Sequence, residues 1–129
     1  NLKGKAMETD FLTQKVIGCA IEVHKYLGPG LLESSYESCL MYEMNKAGLI
    51  AKRQVIQAIN YKGMQIDAGY RLDILLSDQL IIELKSVDRL APIHTAQLIT
   101  YLKLSKINTG LLINFNVVKL MNGLKRISI

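Results

Sequence analysis

Three charged residues, Asp73, Glu83 and Lys85, stand in two neighbouring apolar runs of the sequence. The runs read as β-strands joined by a turn centred at Asp78, so that Asp73, five residues before the centre, pairs with Glu83, five residues after it. Strand side chains alternate between faces, so Lys85 projects on the same side as Glu83. Opposed carboxylates repel each other at a Cβ separation of about 5 Å, so a cation beside them is expected.

Two carboxylates and a lysine on one face of an apolar hairpin can bind a hard divalent cation through oxygen ligands. The sequence predicts Mg²⁺ at this place, with Mn²⁺ as a substitute. Such an ion would polarise a phosphate and lower the pKa of a bound water, while Lys85 orients that water or offsets developing charge. The alternative is an internal ion-pair network without chemistry, and the spacing leaves both interpretations open.

The elements that must position these residues are predicted from periodicity and turn signals. Helices are predicted over residues 11–27, 31–46 and 92–106, and strands over 54–61, 69–76, 80–86, 109–114 and 117–127. The order ααβββαββ predicts an α/β fold, with one mixed β-sheet flanked by helices. Alternation along the central hairpin also predicts a set of apolar side chains on its opposite face, in one core: Leu72, Ile74, Ile82 and Leu84.

Length and composition indicate one globular domain, predicted to span residues 9–129, with residues 1–8 disordered or cloning-derived. No apolar stretch reaches the roughly 18 residues of a membrane-spanning helix, and no signal peptide is evident, so a cytoplasmic protein without membrane contacts is expected. Cys19 and Cys39 lie among apolar neighbours and are expected to be buried, reduced thiols. The formal net charge of +5 favours polyanionic partners.

The stretch from Asp73 to Glu83-Leu84-Lys85 resembles the metal-binding core of the PD-(D/E)XK nuclease superfamily, although Leu72 replaces the proline of the motif. Gly30-Leu31-Leu32-Glu33-Ser34-Ser35-Tyr36 is similar to the signature of the GxxExxY group within that superfamily. Gly69 to Asp73 and Leu111 to Phe115 extend the resemblance over about residues 11 to 127. The resemblance implies a restriction-endonuclease-like fold and a nuclease activity that uses Mg²⁺.

The resemblance also implies roles that spacing does not supply. Glu33 would complete the acidic cluster with Asp73, Glu83 and the Leu84 carbonyl, whereas the residue types alone explain it as a carboxylate at a helix N-terminus. Gln97 and Tyr101, an i, i+4 pair, resemble an element of exonuclease members that contacts substrate.

Four further residues near these elements have weaker predictions. Tyr36 either hydrogen-bonds the site or packs, and Arg71, predicted on the face of Asp73, could bind phosphate or balance the charge of the acids. A structural role is expected for His24, and His94 could equally be a surface residue.

The sequence therefore predicts a metal-dependent nuclease acting on nucleic acid, with DNA favoured by analogy. A non-catalytic nucleic-acid-binding or assembly module that retains the fold is the alternative. A small domain that grips duplex DNA could form a homodimer, although nothing in the sequence fixes an interface.

Overall fold

A computed structural model describes residues 2–129 of the chain. Within these residues, three α-helices and seven β-strands follow one another, with one short 3₁₀ helix near the end. In chain order they are α1 (Leu2–Leu27), α2 (Glu33–Lys46), β1 (Ala51–Ile56), β2 (Ile59–Tyr61), β3 (Met64–Ile66), β4 (Arg71–Leu76), β5 (Leu80–Lys85), α3 (Pro92–Ser105), β6 (Thr109–Asn114), the 3₁₀ helix (Leu120–Gly123) and β7 (Leu124–Ser128).

Five strands form the main sheet in the order β1-β4-β5-β6-β7, and β2 and β3 form a separate two-stranded ribbon. β5 and β6 are parallel, joined through α3, whereas the other neighbours are antiparallel. Every residue of β6 is buried, which fits its apolar composition and its place inside the sheet. The prediction of a mixed sheet flanked by helices is confirmed.

Helices cover both faces of the sheet, and each face has its own core. The larger core joins α1 and α2 to Ile74, Ile82 and Leu84, together with the stacked rings of Tyr36 and Phe115. The smaller core joins α3 to the other face through Leu72, Ile81, Leu98, Tyr101, Leu102 and Leu112. Burial of these side chains contributes about 25 cal/mol for each Å² of apolar surface removed from water.

Several element boundaries differ from the prediction. The predicted strand 54–61 is two strands, because the chain leaves the main sheet at Gln57, whose side-chain amide donates to the Ala58 carbonyl at 2.9 Å. Met64–Ile66, which lie outside every predicted strand, form β3, and the predicted strand 117–127 contains the 3₁₀ helix Leu120–Gly123 ahead of β7. α1 begins at Leu2, so residues 2–8, predicted to be disordered or cloning-derived, are helical; Asn1 lies outside the described residues.

Leu72 does not share a core with Ile74, contrary to the prediction. Gln54 has a φ of 53°, and the ladder between β1 and β4 omits the pair that Gln54 would form with Asp73. Beyond this point Val55 and Leu72 pack into the smaller core, whereas Ile74 packs into the larger one. The change from one core to the other therefore coincides with the irregular residue of β1, next to Asp73.

Within residues 2–129, no helix is long and apolar enough to cross a bilayer. Both cysteines are free and partly buried, and neighbouring apolar groups and Glu43 raise the pKa of the Cys19 thiol. Both side chains are more exposed than the buried thiols that the sequence predicted.

Candidate active site

The two acids lie where the central hairpin stops pairing. The ladder between β4 and β5 has the predicted register, with Ile74 opposite Ile82, but it ends there. Beyond it, the Asp73 N–H donates to Glu83 Oε2 at 2.7 Å, and the Leu84 N–H donates to Asp73 Oδ2 at 2.8 Å. Each carboxylate thus satisfies a backbone donor of the opposite strand, which the ladder would otherwise have used.

Burial and mutual repulsion make ionisation of this pair costly. Burial, followed by the charge of Asp73, raises the pKa of Glu83 from 4.5 to about 8, and Glu83 is only 4% exposed. Burial also raises the pKa of Asp73, against the hydrogen bond from Leu84. The chain therefore keeps a carboxyl group at this place that holds its proton near neutral pH until a cation compensates its charge.

We expect the metal-free protein to lose stability as the pH rises, because folded Glu83 keeps its proton to a higher pH than the unfolded chain does. The stabilisation of the folded state by protonated Glu83 is complete below pH 4.5 and is lost as the pH rises through about 8. Between these pH values the free energy of unfolding should fall by roughly 2–5 kcal/mol less in Glu83→Gln than in the wild type. Chemical denaturation at a series of pH values in EDTA measures it.

Glu8→Gln, which changes an exposed carboxylate on α1, is the matched control and should leave the slope unchanged. The same fall in stability between pH 5 and 8 in Glu83→Gln as in the wild type would contradict the assignment to Glu83.

Two side chains border the acids from different elements. Lys85 ends β5, and its positive charge lowers the pKa of both Asp73 and Glu83. Tyr101 of α3 is buried, and burial followed by the charges of Glu83 and Asp73 raises the pKa of its hydroxyl. The Tyr101 hydroxyl therefore stays a hydrogen-bond donor beside the carboxylates over the whole physiological pH range.

A cavity of about 210 Å³ opens beside Asp73, and the start of α2 forms its other wall. Glu33, the first residue of α2, lines it and raises the pKa of both Asp73 and Glu83 by repulsion. The structure thus brings Glu33 to the site through the helix N-terminus, where a carboxylate is favoured. Backbone and side-chain atoms complete the lining: Ser34, Glu37, Gln54 and Leu84.

Glu37 belongs to this site and was missed by the sequence reasoning. It is 6% exposed and accepts hydrogen bonds from Arg53 Nη2 at 2.7 Å and Gln54 Nε2 at 2.6 Å. It lies one helical turn after Glu33, on the same face, so the i, i+4 spacing of two glutamates was the available signal. Through Gln54, it fixes the irregularity of β1 next to Asp73.

Tyr36, predicted either to hydrogen-bond the site or to pack, is fully buried and packs inside the protein. Its hydroxyl donates to the Gly28 carbonyl at 2.6 Å and accepts from the Leu31 N–H at 3.1 Å, and its ring stacks on Phe115 at 4.5 Å. Gly28 has a φ of 69°, a left-handed conformation that glycine adopts readily. Tyr36 therefore holds the turn that delivers Glu33 to the cavity.

The other predicted residues differ in exposure. Gln97, one turn before Tyr101, is exposed and open to a substrate, as is Arg71, whose Nη1 lies 3.4 Å from the Gln54 carbonyl. His24 is buried with Nε2 2.7 Å from the Val117 carbonyl, and His94 Nδ1 accepts from the Ala91 N–H at the start of α3. Both histidines have structural partners.

Comparison with models of known protein families gives a match for this chain. The family model of the PD-(D/E)XK nuclease superfamily matches residues 10–127, nearly the whole chain. The chain belongs to the PD-(D/E)XK nuclease superfamily. No curated protein and no solved structure gives a significant match. Membership of the narrower GxxExxY group stays a prediction.

PD-(D/E)XK nucleases generally use divalent metals. Within residues 2–129, no group of three or more Asp, Glu, His or Cys side chains is placed to hold a metal ion. Mg²⁺, however, is commonly held by one or two carboxylates and keeps several waters. Asp73 and Glu83 offer two such carboxylates, and the charge of a divalent cation would favour the ionised form of both groups, whose pKa is raised first by burial and then by neighbouring carboxylates.

Proposed function

We propose that this PD-(D/E)XK protein is a metal-dependent nuclease that hydrolyses phosphodiester bonds in nucleic acid, with DNA as the favoured substrate. The observation that carries the proposal is the pair of carboxylates at the point where β4 and β5 diverge, with Lys85 beside them. A pair whose ionisation is so unfavourable is a poor choice for stability alone, and such perturbed groups concentrate at functional sites.

Asp73, Glu83 and the Leu84 carbonyl would hold Mg²⁺, for which Mn²⁺ could substitute, and Glu33 would assist directly or through a water. When bound, the ion supplies a Lewis acid for a phosphate oxygen and lowers the pKa of a water. Ionisation of Glu83 is then needed, so that binding at neutral pH displaces its proton.

The chain's own groups supply orientation and charge compensation. The Lys85 ammonium would orient the attacking water and offset negative charge that develops on the phosphate. The Tyr101 hydroxyl, kept protonated by burial and by the neighbouring carboxylates, would donate a hydrogen bond to a phosphate oxygen. Gln97 and Arg71 are exposed and would contact the nucleic-acid strand.

The test is cleavage of single- and double-stranded DNA and RNA with Mg²⁺ or Mn²⁺, with Asp73→Asn as the variant. Asparagine can still accept the Leu84 N–H, so the hairpin should persist while cleavage falls by about 10²-fold or more. Asp78→Asn, in the exposed turn of the same hairpin, is the matched control, because its φ of 52° suits asparagine. No metal-dependent cleavage of any substrate by the wild type would refute the proposal.

A non-catalytic nucleic-acid-binding module is the second candidate, favoured by the net charge of +5. Under this alternative, affinity for DNA falls steeply with salt but is indifferent to metal and to Asp73→Asn. Cleavage that depends on both excludes it. The cytoplasmic location expected from the sequence stays a prediction.

A further inference from the structure

The outer face of α1 carries exposed side chains with no partner helix. One stripe at helical spacing consists of Phe11, Lys15, Gly18, Glu22 and Tyr26, and we call it the α1 stripe. Phe11 is 60% exposed and Tyr26 is 87% exposed, which is unusual for two aromatic rings on one helix face. The stripe spans about 22 Å along the helix, at 1.5 Å for each residue.

Grooves follow the α1 stripe along its border with α2. One of about 540 Å³ runs past Phe11, Lys15 and Gly18, and another of about 570 Å³ continues past Tyr26. Both are lined by Glu22 and Glu43, so the two grooves adjoin. A Cβ built on Gly18 would meet nothing within 4 Å, so the middle of the stripe is open to close approach by another backbone.

The two charges of the α1 stripe, on Lys15 and Glu22, are in no ion pair within residues 2–129. The ion pairs among residues 2–129 are Arg53 with Glu37 and Arg126 with Asp10, so neither Lys15 nor Glu22 is in one. Lys15 instead places its ammonium 5.5 Å from the centre of the Phe11 ring. A cation and an anion two turns apart on an exposed apolar face suit a partner with the opposite order of charges.

A second copy of the same helix has that order when it runs antiparallel. About a two-fold axis at the peptide bond between Gly18 and Cys19, Lys15 of one chain faces Glu22 of the other, and Phe11 faces Tyr26. At the crossing point, Gly18 faces Cys19, and both side chains are small. All three kinds of contact are chemically complementary, and each occurs twice because the interface is isologous.

We propose that the chain forms a homodimer in which the two α1 helices pack antiparallel through the α1 stripe. The α2 helices flank the pair, so that two helical hairpins make a four-helix bundle. The residues that line these grooves do not line the cavity beside Asp73. The interface therefore leaves the candidate active site open and does not depend on the proposed nuclease activity.

The test exploits the two-fold symmetry. Lys15→Glu places two Glu-Glu pairs in the dimer, and Glu22→Lys places two Lys-Lys pairs there. The dissociation constant of each variant's dimer should therefore be at least roughly tenfold higher than that of the wild type. An equimolar mixture of the two variants pairs every glutamate with a lysine and should form a heterodimer of nearly wild-type affinity. Sedimentation equilibrium from about 1 to 500 µM measures these affinities.

The mixture separates the proposal from misfolding, since both side chains are exposed and each variant serves as the other's rescue. Lys119→Glu reverses an exposed charge elsewhere and should leave the dimer unchanged. A wild type that remains monomeric over the whole concentration range would overturn the proposal. So would a dimer that is insensitive to both reversals, or a mixture that stays monomeric.

Discussion

Lys85→Ala is expected to reduce metal-dependent cleavage by about 10²- to 10³-fold, the range typical of removing one group that stabilises developing charge. The lysine lowers the pKa of both Asp73 and Glu83, so alanine also raises the pKa of the two acids further. Two effects are therefore mixed at neutral pH: loss of the cation from the reaction, and a smaller fraction of ionised carboxylate.

A pH profile of cleavage, measured for the wild type and for Lys85→Ala from neutral pH to well above the wild-type Glu83 pKa of about 8, separates the two effects. A catalytic lysine predicts that the variant has a lower maximal rate at every pH. A profile that is only shifted to higher pH, with a wild-type maximal rate, would show that Lys85 acts only by holding the carboxylates ionised. Lys103→Ala removes an exposed lysine of α3 and serves as the matched control.

Gly123→Ala is expected to cost about 3 kcal/mol of the free energy of unfolding, the upper end for an overpacked site. A Cβ at this position would lie 2.1 Å from the Asn114 carbonyl oxygen and 3.1 Å from its carbonyl carbon. Both atoms are backbone of the buried strand β6, so neither can move without disturbing the sheet. Denaturant unfolding of the variant measures the loss.

Gly18→Ala is the matched control for stability, measured at a protein concentration low enough to keep the chain monomeric. A Cβ there meets nothing within 4 Å, and alanine is favoured over glycine in a helix by about 1 kcal/mol, so the variant should be as stable as the wild type or more so. Equal stability of the wild type and Gly123→Ala would contradict the packing argument.

Gly123→Ala should also affect the candidate site. The side chain of Asn114 accepts from the Val87 N–H at 3.1 Å and donates to the Val87 carbonyl at 2.9 Å, which ties down the loop just after Lys85. A displaced Asn114 backbone would release that clamp. Cleavage should therefore fall with stability even though Gly123 itself is far from Asp73 in sequence.

The register of the central hairpin was predictable because strand alternation and a polar turn define it together. Pairing of Ile74 with Ile82 is the register centred on Asp78. The divergence beyond that pair was not predictable, because it depends on carboxylates replacing backbone acceptors. Strand alternation predicts the direction of side chains only where the backbone hydrogen-bond ladder is continuous. At the end of this ladder side chains replace the backbone acceptors, so the prediction no longer holds there.

The missed parts of the site have a common physical origin. Gln54 adopts a left-handed conformation inside a strand, a state that glutamine rarely occupies and that no local pattern indicates. It is compensated by a hydrogen bond to Glu37, 17 residues away in sequence. The face of Leu72 and the role of Glu37 both follow from this long-range contact. Sequence periodicity reports only on residues that are close in sequence, so it could predict neither the face of Leu72 nor the role of Glu37.

The place of Glu33 in the site, unlike the hairpin register, was predicted from the family resemblance and not from spacing. Spacing explained this residue as a carboxylate at a helix N-terminus, and the structure has it there as well. The resemblance added that Glu33 would complete the acidic cluster, and Glu33 lines the cavity beside Asp73. Its chemical role stays a proposal, because an exposed carboxylate at a helix start satisfies both accounts.

The backbone hydrogen bonds of the two carboxylates affect how the protein would respond to a shortage of metal. Zinc fingers unfold when their ion is removed, because the ion holds the chain together. Here Asp73 and Glu83 accept hydrogen bonds from the main chain, so we expect the hairpin to persist without the ion. In a cell with fluctuating Mg²⁺, the proposed activity would stop without degradation of the protein and would resume without refolding.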